Sequence, residues 1–276
     1  FTHWFLCADI AYIKEGEKLT LQDLLYGLML RSGNDAALAI ANNVSKNTES
    51  FVKKMNEKAQ ELDMKNSLFR NPHGLDQEDG GNISTAYDMA KLTSYAMENK
   101  NFKKIVATEK YTLKTNKNTY VWHNKNKLLY RYKYTTGGKT GFTKIARRTL
   151  VTTASKNNLN LVVVTLNDGN DFTDHENLFE YAFNNYTNYK ILSKGFIKIK
   201  KENYYKKHKL YIKNDYSYPL SIDEKDSIRI KYQLKKIRKL KNNSKVGTAK
   251  IYFGDKLVHE ENIYLKYSSK KSKGWF

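Results

Sequence analysis

The sequence predicts an α/β domain followed by a small all-β domain, and three patterns carry that expectation. Apolar residues recur at helical spacing along the first part of the chain, the period shortens to two beyond Tyr111, and near Ser193 the composition shifts to short alternating segments rich in Lys, Tyr and Ile. The expected domains are residues 1–192 and 193–276. A chain of 276 residues has ample apolar material for one large core and one small one.

In chain order, Thr20-Leu-Gln-Asp23 is a capping box in its acidic variant, and Leu21, Leu24, Leu25 and Leu28 predict a helix running to Arg31. That helix delivers Ser32 to its C-terminal end. Gly33 is expected to break it, and Asp35-Ala-Ala-Leu-Ala-Ile-Ala opens a second helix of small residues suited to close packing. Ser32 and Asn34 then lie in the connecting turn, which taken alone reads better as a C-cap followed by an N-cap than as a site. Glu49 to Leu62 is amphipathic, with Thr48 or Ser50 as its cap. Asn71-Pro-His-Gly-Leu-Asp76 is turn chemistry, and His73 reads as a loop anchor because no nearby residue pairs with it as an acid or base.

Ser84 to Asp88 caps a helix reaching about Asn99, and a short helix follows from Phe102 to Ala107. A strand begins at Tyr111, with Thr119 to His123 as its partner. Arg148 to Ser155 and Leu159 to Leu166 are β-rich runs joined by the hairpin signal Lys156-Asn-Asn, and the apolar run Val162 to Leu166 suggests a strand covered on both faces. Asp174 to Leu192 returns to helical spacing. Beyond Ser193, breaks fall at Asn214-Asp215, Pro219 and Asn242-Asn243, and Val246 to Phe253 with Leu257 to Tyr267 predict a hairpin about Gly254-Asp255. The chain ends in Lys270-Lys-Ser-Lys-Gly-Trp-Phe276, cations beside aromatics that suit either an interfacial anchor or a frayed tail.

Net charge is +21. No nucleic-acid motif accompanies the basic residues, so no nucleic-acid partner is expected; an anionic wall polymer or an anionic membrane surface answers the same charge, and a solvated lysine-rich surface is the plainer account. Cys7 is the only cysteine, and the six histidines lack ligand spacing, so neither a disulfide, a metal nor a cofactor is expected. No run approaches the ~20 apolar residues of a membrane span. Phe1 to Ile13 lacks the basic start and cleavage pattern of a signal peptide, and the first residues read as a cut end.

The chemistry gathers in Tyr134 to Thr143, YTTGGKTGFT. Gly137 and Gly138 are expected to let the chain approach a ligand, Lys139 offers a cation, Thr140 a hydroxyl, and Gly141 leaves the strand edge unblocked so that the Phe142 N–H can face an oxyanion. Such a layout suits a carboxylate beside a reacting carbonyl. A lysine-threonine-glycine triplet alone says little in a chain this rich in lysine. Ser32-Gly33-Asn34 upstream changes its meaning, because serine-x-asparagine followed by lysine-threonine-glycine forms the second and third boxes of penicillin-binding proteins and serine β-lactamases.

With these boxes stand Ile13 to Thr20, Asp23 to Ala37 (DLLYGLMLRSGNDAA), Phe51 to Ala59 (FVKKMNEKA), Asn71 to Asp76 (NPHGLD) and Ser84 to Ala90 (STAYDMA). From about Tyr12 to Leu192 the chain resembles the low-molecular-weight penicillin-binding proteins, the serine-type D-alanyl-D-alanine carboxypeptidases, and its β-rich remainder resembles their C-terminal domain. The resemblance implies a β-lactamase/transpeptidase-like α/β/α domain, incomplete at its N-terminus, that removes the terminal D-alanine of the peptidoglycan pentapeptide through an acyl-enzyme without metal or coenzyme. Carried over, Ser32 would relay a proton to the leaving amine, Asn34 would hold the peptide backbone, Lys139 and Thr140 would grip the terminal carboxylate, and the Phe142 N–H would be an oxyanion donor. Ala146-Arg147-Arg148 would add positive field without a catalytic role.

The resemblance also implies an extracytoplasmic, secreted protein at the cell wall or the outer face of the membrane, with a part in cell shape. One departure concerns the nucleophile. The family's first box, serine-x-x-lysine, belongs before Ser32, yet the 31 preceding residues contain no serine. Ser50-Phe-Val-Lys53 and Ser268-Ser-Lys-Lys271 match the box formally but fall downstream of Ser32 and read as decoys. The expectation is a fragment, lacking the first strands of the sheet, that does not react with β-lactams unless the nucleophile is supplied. A non-catalytic wall-binding protein is the alternative. A β-lactamase would share the boxes, but the flanking segments and the β domain resemble the carboxypeptidases.

Overall fold

The computed structural model describes residues 10–267 apart from 79, 201 and 240, and the chain separates into two compact units, one ending at Ala182 and the other beginning at Phe183. In the first unit α1 (Leu21–Arg31), α2 (Asn34–Val44) and α3 (Thr48–Glu61) precede α4 (Ala86–Ala96) and α5 (Lys100–Val106). A hairpin of β1 (Lys110–Lys114) and β2 (Thr119–His123), then the short α6 (Leu128–Arg131), lead to β3 (Thr135–Thr143), β4 (Arg147–Lys156) and β5 (Leu159–Leu166). These last three form one antiparallel sheet in the order β3-β4-β5, so β3 is an edge strand. Helix α7 (Asp171–Asn185) closes the unit.

Capping chemistry accounts for most helix starts. Thr20 and Asp23 exchange side-chain and backbone hydrogen bonds as the capping box requires. Asn47, rather than Thr48 or Ser50, caps α3, its side chain accepting the Ser50 N–H at 2.8 Å. Likewise Thr85 caps α4, while the Ser84 hydroxyl turns to Ser67. The β4–β5 turn places Asn157 and Asn158 at φ 51° and 62°, the left-handed pair that a two-residue hairpin demands.

The core under α1 is largely aromatic. Tyr26 stacks on Tyr111 with ring centroids 3.8 Å apart, Trp122 and Tyr120 extend the cluster, and Leu24, Leu30, Ile40 and Ile105 fill it. The Tyr111 hydroxyl donates to Asp23 at 2.6 Å, and burial together with that carboxylate pushes its phenol up to about 12. One cap residue thus also anchors the hairpin.

Three features differ from expectation. Thr187–Leu192 is not the end of α7 but a strand, β6, paired antiparallel with Tyr216–Leu220 in the second unit; its tertiary partner outweighs the helical spacing of its apolar residues. Pro219 lies inside that partner strand instead of breaking it, which a sheet of only two strands tolerates because both strands are edges. Val162 to Val164 are half-buried, not covered on both faces, since β5 pairs with β4 alone among the described residues. The second unit is otherwise all β: β7 (Gly195–Ile197), β8 (Lys209–Ile212), β9 (Tyr216–Leu220), β10 (Ile228–Leu234), β11 (Lys245–Phe253) and β12 (Lys256–Lys266). Five of these form a sheet in the order β10-β11-β12-β8-β7 around Val246, Ile251, Ile263 and Leu265. Ser268 to Lys271 and the terminal tail lie outside the described residues.

His175 on α7 is fully buried between two threonines, its Nδ1 2.6 Å from the Thr152 hydroxyl and its Nε2 3.1 Å from that of Thr165. Burial pulls its pKa down to about 4, against a weaker opposite pull from Asp171 and Asp168. The unfolded chain takes up this proton below the ordinary histidine range, near pH 6.5, and the folded chain only near pH 4. The contribution is therefore complete above about pH 6.5 and lost as the pH falls towards 4. In urea unfolding between about pH 7 and pH 4, the protein should lose up to roughly 3 kcal/mol more than a His175→Gln variant. Parallel losses would show that His175 does not report burial.

Candidate functional site

Ser32 ends α1 in the left-handed region, at φ 60° and ψ 37°, with its N–H bonded to the Gly27 carbonyl. Glycine is the usual occupant of such a helix end, so a serine there is an outlier that invites a functional reading. It is Ser32, not Gly33, that breaks the helix. Gly33 has an ordinary φ of −64° and serves as N-cap of α2 without a side-chain bond. Its lack of a side chain has a different cause: a Cβ at Gly33 would lie 2.8 Å from the Ala11 Cβ.

Asp35 explains why the chain passes so close at that point. Its carboxylate accepts the N–H of Ala11 at 2.9 Å and that of Ile13 at 3.0 Å, strapping this segment over the α1–α2 turn. Between them Tyr12 stands at φ 65°, and its carbonyl accepts the Tyr120 hydroxyl at 2.8 Å. No sequence pattern singled out Asp35 for this; the only available hint was an acidic residue in the first turn of a helix. Asn34 opens α2 and is 5% exposed.

The third box arrives on the edge strand. The Lys139 ammonium donates to the Ser32 hydroxyl across 107 positions of chain and also to the Thr140 carbonyl. Hence the two boxes meet as the sequence requires. Lys139 and Thr140 are half-buried, and Phe142 is 66% exposed at the outer end of β3. Gly141 faces Thr149 on β4, where a Cβ would come within 2.4 Å of the threonine hydroxyl.

Gly137 and Gly138 do something other than admit a ligand. Both are buried, with φ of 150° and 153°, and added Cβ atoms would stand 2.4 Å from the Val106 side chain and 2.3 Å from the Val151 carbonyl respectively. They let β3 sit tightly against α5 and β4, which fixes where Lys139 emerges.

Neighbouring candidates fall into supporting roles. His73 keeps its Nδ1 on the Leu75 N–H at 3.1 Å, and burial lowers its pKa, as a turn anchor requires. The turn it anchors reaches β3–β4 through Asp76, whose carboxylate accepts the Ile145 N–H at 3.2 Å. Arg148 is paired with the buried carboxylate of Asp171, so its charge is already committed. Ser50 and Lys53 lie in the first turns of α3.

Comparison with known proteins agrees with this geometry. Residues 7–170 match the family model "D-alanyl-D-alanine carboxypeptidase", and residues 186–271 match "Penicillin-binding protein 5, C-terminal domain". The chain is similar to the D-alanyl-D-alanine carboxypeptidases DacF of Bacillus subtilis (38% identity, covering 55% of this chain and 39% of that protein) and DacB2 of Mycobacterium tuberculosis (36%, covering 56% and 53%). Among solved structures, penicillin binding protein 5 from Haemophilus influenzae superposes on 95% of this chain and 78% of that chain with a TM-score of 0.74 at 25% identity. Penicillin binding protein 6B from Escherichia coli does so on 94% and 73% with a TM-score of 0.67 at 26% identity.

The fold is thus that of a penicillin-binding protein with an α/β domain and a β-rich C-terminal domain. Within that class, the chain belongs to the D-alanyl-D-alanine carboxypeptidase family. It spans about half the length, or less, of the curated relatives first matched, 39% to 54%.

The glycine pair gives a direct check. Gly138→Ala should destabilise the protein by about 1–3 kcal/mol, through a forbidden φ and overpacking against β4, measured as a lowered urea midpoint at unchanged m-value. Stability equal to that of the parent would mean that β3 is not pressed against its neighbours.

Proposed function

We propose that this chain carries the substrate-holding side of a serine-type D-Ala-D-Ala carboxypeptidase site. The observation that supports it best is the Lys139 ammonium resting on the Ser32 hydroxyl. In this reading Lys139 and the Thr140 hydroxyl take the terminal carboxylate of the pentapeptide, a charge-assisted contact that is stronger than a neutral one. Asn34 holds the peptide backbone. Ser32, already in contact with a protonated lysine, passes a proton towards the departing D-alanine amine, while the Phe142 N–H and the unblocked edge at Gly141 stabilise the oxyanion. The protein works without metal or cofactor. Its substrate, peptidoglycan, lies outside the cytoplasmic membrane, which assigns the protein to the wall or the outer membrane face, in keeping with a role in wall maturation and cell shape.

Bond breaking in this family needs a serine-x-x-lysine pair, and residues 1–276 supply none ahead of Ser32. Ser50 and Lys53 lie beyond the Asn47 cap at the start of α3 and are read as ordinary helix residues. These residues by themselves are therefore read as holding a D-Ala-D-Ala end without forming an acyl-enzyme, with β-lactams as partners only where the nucleophile is present. Non-catalytic recognition of peptidoglycan is the second reading, favoured by the commitment of the Ser32 hydroxyl to Lys139 rather than to a general base.

Two measurements test the proposal. Titrating residues 1–276 with a peptide ending in D-Ala-D-Ala should give saturable binding that weakens at least about tenfold in Lys139→Ala, since one charged hydrogen bond is worth roughly 1.5–3 kcal/mol. A peptide ending in D-Ala-amide should bind as poorly to the parent. Incubation with a fluorescent penicillin should leave no covalent label after denaturation. Peptide affinity unchanged in Lys139→Ala would overturn the carboxylate-holding role, and a label on Ser32 would make that residue the nucleophile.

A further inference from the structure

The positive charge is not shared evenly between the two units. From Phe183 onward there are 24 lysines and arginines against 8 acidic residues, whereas up to Ala182 there are 25 against 20, in a segment nearly twice as long. A general preference for lysine would raise both parts alike. The excess therefore belongs to the second unit.

Within that unit two cation-rich segments flank one groove. Two segments distant in sequence, Lys198 to Lys209 and the end of β10 with Lys235 to Lys239, are tied side by side by tyrosines. The Tyr205 hydroxyl donates to the Lys235 carbonyl and accepts the Ile237 N–H at 3.3 Å, and the Tyr204 hydroxyl donates to the Ile237 carbonyl at 2.9 Å. Between the segments lies a groove of about 580 Å³ floored by Ile199, Leu234, Tyr204 and Tyr232. Tyr204 is 45% and Tyr232 37% exposed.

Lys200 and Lys236 line the groove from the two segments. Lys198, Lys206, Lys207, Lys235, Arg238 and Lys239 stand exposed in the same segments. None of them is in an ion pair among the described residues. The one acidic residue in these segments, Glu202, also lines the groove; its carboxylate accepts the backbone N–H groups of Tyr204 and Tyr205 at 2.8 to 3.1 Å, and its single charge is outnumbered by the cations around it.

We propose that this groove binds a linear anionic polysaccharide. The tyrosine faces offer flat apolar platforms to sugar rings, and the two cation-rich segments offer ammonium groups to the chain of acidic groups that such a polymer carries. Tyrosine rings beside the cations favour a sugar polymer over a headgroup layer, which would use the cations alone. The inference stands apart from the carboxypeptidase reading, since it uses no residue of the first unit.

Binding of a fluorescently labelled linear oligogalacturonate to residues 1–276, followed by anisotropy, tests it. The double variant Lys200→Glu/Lys236→Glu should weaken binding at least thirtyfold and flatten its salt dependence. Lys225→Glu/Lys256→Glu alters net charge equally at the opposite end of the β10–β11 pair, where Ile228 faces Phe253, and should weaken it less than threefold. Tyr232→Ala should weaken binding about tenfold while leaving the salt slope intact, because stacking releases no counterions. Neutral dextran should not compete. Equal losses in the two double variants would reduce the effect to overall charge and overturn the assignment. So would stronger competition by phosphatidylglycerol vesicles or by single-stranded oligothymidylate than by unlabelled oligogalacturonate.

Discussion

A lysine ammonium held against a serine hydroxyl, with 107 positions of chain between them, is the constraint to which the first unit is built. A hydrogen bond tolerates an error of a few tenths of an ångström, so the end of α1 and the middle of β3 must both be placed to that tolerance. Two adjacent residues of α5 help to do it. Ile105 packs into the aromatic cluster that seats α1, and Val106 is the surface on which Gly137 rests. One short helix thus refers both partners to a common frame, and Lys139 reaches Ser32 without long flexible segments in between.

Much of the fold is readable from spacing because most of these helices and strands present one face to a core. The boxes are readable for another reason: the chemistry restricts which residue types can serve, so short patterns keep their meaning. What escaped the sequence depends on partners far along the chain. The strap held by Asp35 needs Ala11 and Ile13, and the buried ring of His175 needs threonines from two strands. Residues 187–192 show helical spacing, yet they pair with a strand some thirty positions later. The two glycines of the third box are informative in a different sense, since the type was recognised and its purpose was not. A glycine in sequence signals close approach but does not say to what, and here it is to Val106 and Val151.

The two units also differ in how they treat charge. In the first, buried or half-buried carboxylates have assigned partners, as Asp35, Asp23 and Asp171 do, and the net charge is small for its length. In the second, lysines and arginines outnumber acids threefold, and two of them line a groove with Tyr204 and Tyr232. A balanced unit suits a site that must hold one ammonium at a defined place. An unbalanced one suits a surface that reads sign and density along an extended partner.

The left-handed backbone of Ser32 has a consequence for anyone engineering this scaffold. Glycine fits that conformation better, so a stability-guided redesign would tend to exchange the serine and report a gain. The same exchange would remove the Ser32 hydroxyl to which Lys139 donates. Thermal robustness and the Ser32–Lys139 contact therefore pull in opposite directions at one position, and screening variants by melting temperature alone would select against the contact on which the proposed function rests.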